Sequence, residues 1–262
     1  KATHHQRTLR INSIKQQFTM KKIIALIILT TISTHYTWAQ WGKNIRGNGQ
    51  ETTTTRQTSA YDQINVSSSF DVVLFNGEEG KIELQGESNL LTYVETQVKS
   101  GQLIIRPRSG VQLKPSWGKR IQLRVPVKQI DALRLSGSGS IVCTTTLHDP
   151  SMEVIISGSG DINVDLQCTE LIAVISGSGS ITARGTATRS NINLSGSGDF
   201  KGFDLSTKIT EAIISGSADV SVSVSDLLSA KIVGSGDIYY RGNPKKIDSK
   251  IVGSGDLIKS RD

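Results

Sequence analysis

Apolar and polar residues alternate with a period of two through most of the second half of the chain. At even intervals the alternation runs into Ser-Gly-Ser-Gly. Met152, Val154, Ile156, Gly158, Gly160, Ile162, Val164 and Leu166 occupy one parity, and Glu153, Ser157, Ser159, Asp161, Asn163 and Asp165 the other; Ile155 is the exception. That is the signature of a strand with one buried face. Leu133, Leu135, Gly137, Gly139, Ile141 and Cys143 follow the same rule, as do Ala230, Ile232, Gly234, Gly236, Ile238 and Tyr240. The residue that opens each copy falls at Ser136, Ser157, Ser176, Ser195, Ser215, Val233 and Val252, in steps of 18 to 21 residues. Seven copies with so little drift define an internal repeat, not the flexible linker that Ser-Gly-Ser-Gly makes in isolation.

A single copy buries too few aliphatic side chains to offset the ordering of about 19 residues, so copies must share core and backbone hydrogen bonds. Regular turn signals also suit a β-sandwich, but a sandwich has no reason to keep the same turn chemistry at the same phase. The sequence therefore predicts an all-β protein, a parallel β-helix (β-solenoid) of about seven short coils. At about 4.8 Å per layer they span roughly 30 Å. Both motif glycines are in phase with the core. A glycine there answers either to a positive φ or to a lack of room on the inner side. Ala218 replaces the second glycine of the fifth copy, and alanine disfavours positive φ. The second position is thus read as a close inner approach, and the first is left open.

Residues 131–258 hold the repeats, and residues 61–130 are expected as a β-rich capping segment that packs on the first coil. Strands are predicted around Ile64–Val66, Asp71–Phe75, Lys81–Leu84, Leu103–Ile105 and Ile121–Val125. Leu90, Leu91 and Val94 have helical spacing, so one short helix or helical turn is expected within Ser88–Val98, capped by Ser88 or Asn89. Residues 40–60 are polar and Thr-rich and read as a linker or a loosely paired start.

Tyr61-Asp62-Gln63-Ile64-Asn65-Val66, Phe70-Asp71-Val72-Val73-Leu74, the stretch Glu87 to Val98, and Gly101-Gln102-Leu103-Ile104-Ile105 carry a resemblance. With Leu133-Arg134-Leu135-Ser136-Gly137-Ser138-Gly139 and its later copies, they resemble the auto-transporter adhesin "head GIN" family, a domain of unknown function, over about residues 61–256. The resemblance implies an exported bacterial protein of right-handed β-helix character and brings no catalytic residues with it. Six residues follow Asp256, so no auto-transporter barrel is expected here.

Met20-Lys21-Lys22, the apolar run Ile23–Leu29 and Thr37-Trp38-Ala39 have the form of a secretory signal cut after Ala39. Residues 1–19 read as an upstream extension. The apolar run is too short to span a bilayer, so no transmembrane segment is expected in the mature chain. Export to the periplasm, cell surface or medium follows. Of the formal charge of +7, all but +1 belongs to residues 1–39, which hold six basic side chains and no acids. The remainder lacks the basic footprint that nucleic acid requires. Cys143 and Cys168 could join in an oxidising compartment or serve as small buried apolar residues. The sequence leaves both open.

Little catalytic chemistry is legible. His148 is the only histidine after residue 39 and sits in His148-Asp149-Pro150, a turn sequence. Nucleophile-elbow, P-loop and dinucleotide motifs are absent. Two candidate sites remain. Asp199, Asp219, Asp237 and Asp256 occupy one place in four successive copies. Carboxylates about 4.8 Å apart repel by about 0.9 kcal/mol per pair even in water, so calcium or a basic partner is a candidate to neutralise the row. Lys114-Pro115-Ser116-Trp117-Gly118-Lys119-Arg120 joins an aromatic to several cations. Trp117, Lys119 and Arg120, with the outward Tyr239, are candidate contacts for an acidic glycan, a lipid headgroup or a cell-surface protein. The expected function is a non-enzymatic, adhesin-like binding module. A carbohydrate-active enzyme and a purely structural envelope protein are the alternatives.

Overall fold

The computed structural model describes residues 42–261; the expected signal segment at 1–39 lies outside the described residues. The described chain opens with β1 (Lys43–Arg46) and β2 (Glu51–Gln57). β3 (Gln63–Ser67), β4 (Asp71–Asn76), β5 (Lys81–Glu87), the helical turn α1 (Ser88–Leu91), β6 (Val94–Lys99), β7 (Gln102–Pro107), β8 (Val111–Lys114) and β9 (Gln122–Val127) follow. β10 (Ala132–Gly137) leads into five long strands, β11 (Ser140–Gly158), β12 (Asp161–Gly177), β13 (Ser180–Gly196), β14 (Asp199–Gly216) and β15 (Asp219–Gly234). β16 (Ile238–Arg241), β17 (Lys246–Gly253) and β18 (Leu257–Lys259) close the stack.

The repeats stack as parallel coils. Gly137, Gly158, Gly177 and Gly196 pair in register from layer to layer, and Gly216, Gly234 and Gly253 continue the column. Side-chain parity is kept within each arm of a coil. In β12, Ile162, Val164 and Leu166 are buried on one arm and Leu171, Ala173 and Ile175 on the other. The odd step from Leu166 to Leu171 resets the phase across the exposed bend at Gln167 and Thr169. Polar groups that enter the core pair with one another: Thr210 Oγ1 lies 2.9 Å from Ser190 Oγ and 2.7 Å from Thr207 Oγ1.

The two motif glycines answer to different constraints. The first has φ between +118° and +138° in all seven copies, a region that side chains with a Cβ rarely enter. This corner lets the following serine N–H donate to the previous layer, as Ser178 does to Gly158 (2.9 Å) and Ser197 to Gly177 (2.9 Å). The second glycine has no such φ; a Cβ on Gly179 would instead overlap the Gly160 carbonyl. Ala218 is fully buried at the equivalent place, in accord with the close inner approach read from the sequence.

The stack also extends below the repeats. β3 and β4 form a layer beneath β10 and β11, with Ser136 opposite Ser67 and Ser140 opposite Asp71. β7 and β9 form a further layer beneath β3 and β4. In the β3–β4 corner Ser68 replaces the first glycine and Phe70 the second, so the layer carries no glycine by which to recognise it. Ser68 adopts φ +99°, a strain of about 1–3 kcal/mol for a residue with a Cβ. Ser68→Gly is therefore expected to raise stability by about 1 kcal/mol, after the entropy glycine adds to the unfolded chain. Urea unfolding checks it, and a loss of stability would count against a strained corner.

The lower edge is closed by antiparallel strands. β6 pairs with β7, β5 with β9, and β2 with β5. The one short helical turn expected within Ser88–Val98 is Ser88–Leu91, and it stops there because Val94 already pairs opposite Pro107 in the β6–β7 ladder. Of the stretch read as a linker or a loosely paired start, Lys43–Arg46 and Glu51–Gln57 are paired strands, and β2 covers the open edge of β5. Arg56 fixes β2 from the side, donating to the Leu91 carbonyl at 2.6 Å and the Val94 carbonyl at 2.5 Å.

Candidate functional site

β1 and β8 make a separate two-stranded parallel ribbon, with Arg46 opposite Lys114. The chain then turns at Ser116–Lys119, where the Lys119 N–H donates to the Ser116 carbonyl (2.9 Å). Gly118 at φ +74° occupies the third position, as in a type II turn, which leaves Trp117 at the projecting second position. Its side chain is as exposed as in an extended peptide, with relative accessibility 101%.

The turn is not free to wander. Ser116 donates to the Glu87 carboxylate through its N–H (2.8 Å) and its hydroxyl (2.5 Å). Gly49 N–H adds a third bond at 2.6 Å. Glu87 is only 1% exposed. Burial pushes its carboxyl up, but the bonds from Ser116 and Gly49 and the charge of Lys119 outweigh this and hold it below the usual range. Gly47 leaves room for that carboxylate, which a Cβ there would overlap. The Gly47–Gly49 loop is tied down in turn by α1: Asn89 Nδ2 donates to the Arg46 carbonyl (2.7 Å) and Asn48 Nδ2 to Ser88 Oγ (3.0 Å). Ser88 and Asn89 therefore hold this loop, and no side chain caps α1.

Three of the four expected contact residues come together here. Lys119 sits 3.5 Å from Glu51 and Arg120 3.1 Å from Asp71, with the Arg120 side chain 77% exposed. Lys114 is exposed beside them. Tyr239 lies elsewhere, in β16, with its hydroxyl donating to Asp237 at 3.1 Å. Seven strand steps separate β16 from β9, about 30 Å at one layer per step.

The aspartate column is a hydrogen-bonded ladder. Ser140 Oγ donates to Asp71 and Ser180 Oγ to Asp161, both at 2.8 Å. Where aspartates become successive, backbone takes over: Asp237 N–H donates to Asp219 (2.9 Å) and Asp256 N–H to Asp237 (2.8 Å). Asp199 has Lys201 at 3.9 Å. Calcium takes six to eight oxygen ligands, whereas these carboxylates turn along the column. Among the described residues no three His, Cys, Asp or Glu side chains gather as metal ligands do. Of the four successive aspartates, Asp219 and Asp237 thus accept backbone N–H bonds, and Asp237 also accepts from the Tyr239 hydroxyl.

Cys143 and Cys168 are both free. Burial first, then the charge of Asp165, pushes the Cys143 thiol up to about 12; burial, Asp149 and Glu170 push Cys168 up to about 11. A cleft of about 730 Å³ is lined in part by Tyr61, Asp62, Glu79, Asp131, His148 and Asp149. Burial, and then the charges of Asp62 and Asp149, push the Asp131 carboxyl up, and its Oδ1 lacks a hydrogen-bond partner. No local pattern marks this gathering, because its members lie as far apart in the chain as Tyr61 and Asp149.

Fold and site define a β-solenoid that fixes a projecting aromatic at its capped end. The chain belongs to the family described as "Putative auto-transporter adhesin, head GIN domain", which matches residues 60–244. No curated protein matches it. It is similar to a structure from Parabacteroides distasonis described as a "putative lipid binding protein", at 29% identity and TM-score 0.71, over 84% of this chain and 100% of that one. A "putative adhesin" from Bacteroides fragilis shares the fold at 18% identity and TM-score 0.74, over 82% and 100% of the two chains. Another from Parabacteroides merdae does so at 20% identity and TM-score 0.67, over 84% and 100%. Among the described residues no helix is long and apolar enough to cross a membrane.

Proposed function

We propose that this protein is a non-enzymatic, exported, adhesin-like binding module that makes contact through Lys114–Arg120. The single observation that carries the reading is the fully exposed Trp117 indole on a turn held by a buried carboxylate. An isolated surface indole gains nothing for folding, since it buries no area. An aromatic flanked by cations on a fixed turn suits a contact hot spot, because little backbone freedom is lost when a partner covers it. Lys114, Lys119 and Arg120 favour an acidic ligand, an anionic glycan or headgroup. The family name and the neighbours described as adhesins or as lipid binding support binding over turnover. Export rests on the leader-like residues 20–39, and places the protein in the periplasm, on the cell surface or outside.

Trp117→Ala is expected to weaken binding to an acidic-glycan array or to anionic vesicles by about tenfold or more, with an unchanged circular dichroism spectrum. Equal binding by the variant to every probe would remove the loop from the contact. A carbohydrate-active enzyme would have to work from the cleft beside Asp131 and His148. Polysaccharide turnover abolished by Asp131→Asn would replace the present reading with that one.

A further inference from the structure

We propose that β17 pairs with β17 of a second copy of this chain, in antiparallel register about Ser249, to form a two-fold symmetric dimer. Among the described residues β17 pairs only with β15, as β2 and β6 at the lower end pair only with β5 and β7. The ends differ in cover, since β2 and β6 are partly buried along their length. All eight residues of β17 are exposed. Ile247, Ser249 and Ile251 stand above Leu228, Ala230 and Ile232 of the core, so they continue its inner row. Ile247 and Ile251 are nonetheless 42% and 39% exposed.

The backbone of this edge is open too. Ser254 N–H donates to the Gly234 carbonyl of the layer beneath. Direction alternates along a parallel strand, so residues 248, 250 and 252 also point down to β15. Ile247, Ser249 and Ile251 then turn their N–H and C=O groups to the free side.

An antiparallel two-fold centred on Ser249 satisfies this edge in one arrangement. Ser249 bonds its own copy, and Ile247 bonds Ile251 of the partner subunit in both directions. The same pairs set Ile247 against the partner's Ile251 on the inner face, extending the core across the axis. On the outer face Asp248 comes opposite the partner's Lys250, twice by symmetry, at the closer non-hydrogen-bonded spacing. Neither side chain has an ion-pair partner within the described chain. Centring the axis on residue 248 sets two aspartates face to face, and centring it on residue 250 sets two lysines. Of these three registers, only the one centred on Ser249 gives opposite charges and keeps the inner row inside, and it pairs more of β17 than an axis nearer the strand's start at Lys246. An interface of one patch with itself closes on two chains and does not propagate.

Sedimentation analysis of the whole chain tests this. The wild-type chain is expected as a dimer, and Ile251→Lys as a monomer. Asp248→Lys and Lys250→Asp alone should each raise the dimer dissociation constant about tenfold, the effect of two lost ion pairs turned repulsive. The double exchange Asp248→Lys with Lys250→Asp restores opposite charges and should return it to near the wild-type value. Thermal melts identify any variant that fails to fold, and the exchange uses exposed positions where folding is least at risk. A wild-type monomer, single exchanges without effect, or a double exchange no better than either single would overturn the proposal. Trp117→Ala should leave dimerisation unchanged, so this result and the contact function stand or fall separately.

Discussion

Gly177→Val is expected to destabilise the protein by about 3 kcal/mol or more. Two mechanisms act together. Gly177 holds φ +130°, which for a β-branched residue is a strain of about 1–3 kcal/mol. Its Cβ would also overlap the carbonyl oxygen of Gly158 in the layer below, and forced overpacking costs about another 1–3 kcal/mol. Relief requires the layers to part, which would break the bonds from Ser178 to Gly158 and from Ser197 to Gly177. The exposed neighbour makes the control: Ser178→Val should change stability by no more than about 0.5 kcal/mol. Urea unfolding measures both. Equal effects at the two positions would show that the corner does not depend on glycine.

Glu87→Gln should cost about 3 kcal/mol and loosen the contact loop. Three donors converge on the carboxylate, and each bond to a charged group contributes about 1.5–3 kcal/mol. Glutamine retains one acceptor oxygen and turns an NH2 toward donors that then lack a partner. The effect has a definite pH dependence. The folded carboxyl titrates below its unfolded value, so the folded state binds fewer protons. Its stabilisation is complete above the unfolded value of about 4.3 and is lost as pH falls through the folded pKa. Wild type should therefore lose stability in acid more steeply than Glu87→Gln, and the two curves should converge at the lowest pH. Amide exchange across residues 114–120 should rise in the variant at neutral pH. Unchanged exchange would show that Trp117 is held by something other than Glu87.

Much of the solenoid was legible because a strand buries alternate residues and a stack repeats its corner. Parity placed Ile156, Ile162 and Val164 in the core, and all three are fully buried. The layer of β3 and β4 was harder to see: Ser68 and Phe70 stand where the motif has glycine, so its strands read as part of a separate cap. Val94 belonged to the helical spacing of Leu90 and Leu91, yet its backbone is claimed by β7. A local period cannot register a partner that arrives later in the chain.

The candidate site divides in the same way. Trp117 and its cations were visible as a composition, an aromatic among lysines and arginine. Glu87, which makes that composition a fixed object, was not. Its parity in β5 is the outward one, opposite to Ile82, Leu84 and Gly86, and a glutamate at a strand end carries no signal. It is buried only because residues 47–49 and 114–116 close over it from two distant parts of the chain. The aspartate row was legible as a column but not as a ladder, since the N–H groups that donate to it lie in neighbouring layers.

By itself, then, the sequence determined which residues face inward, where each coil turns, and that the coils must stack, because those properties follow from spacing along one strand. How the lower end closes, which carboxylates find donors, and which aromatic-bearing turn is pinned emerged only in the folded chain. Those outcomes depend on groups far apart in sequence meeting at hydrogen-bond distance, and a bond of that kind is fixed by geometry that no single segment contains.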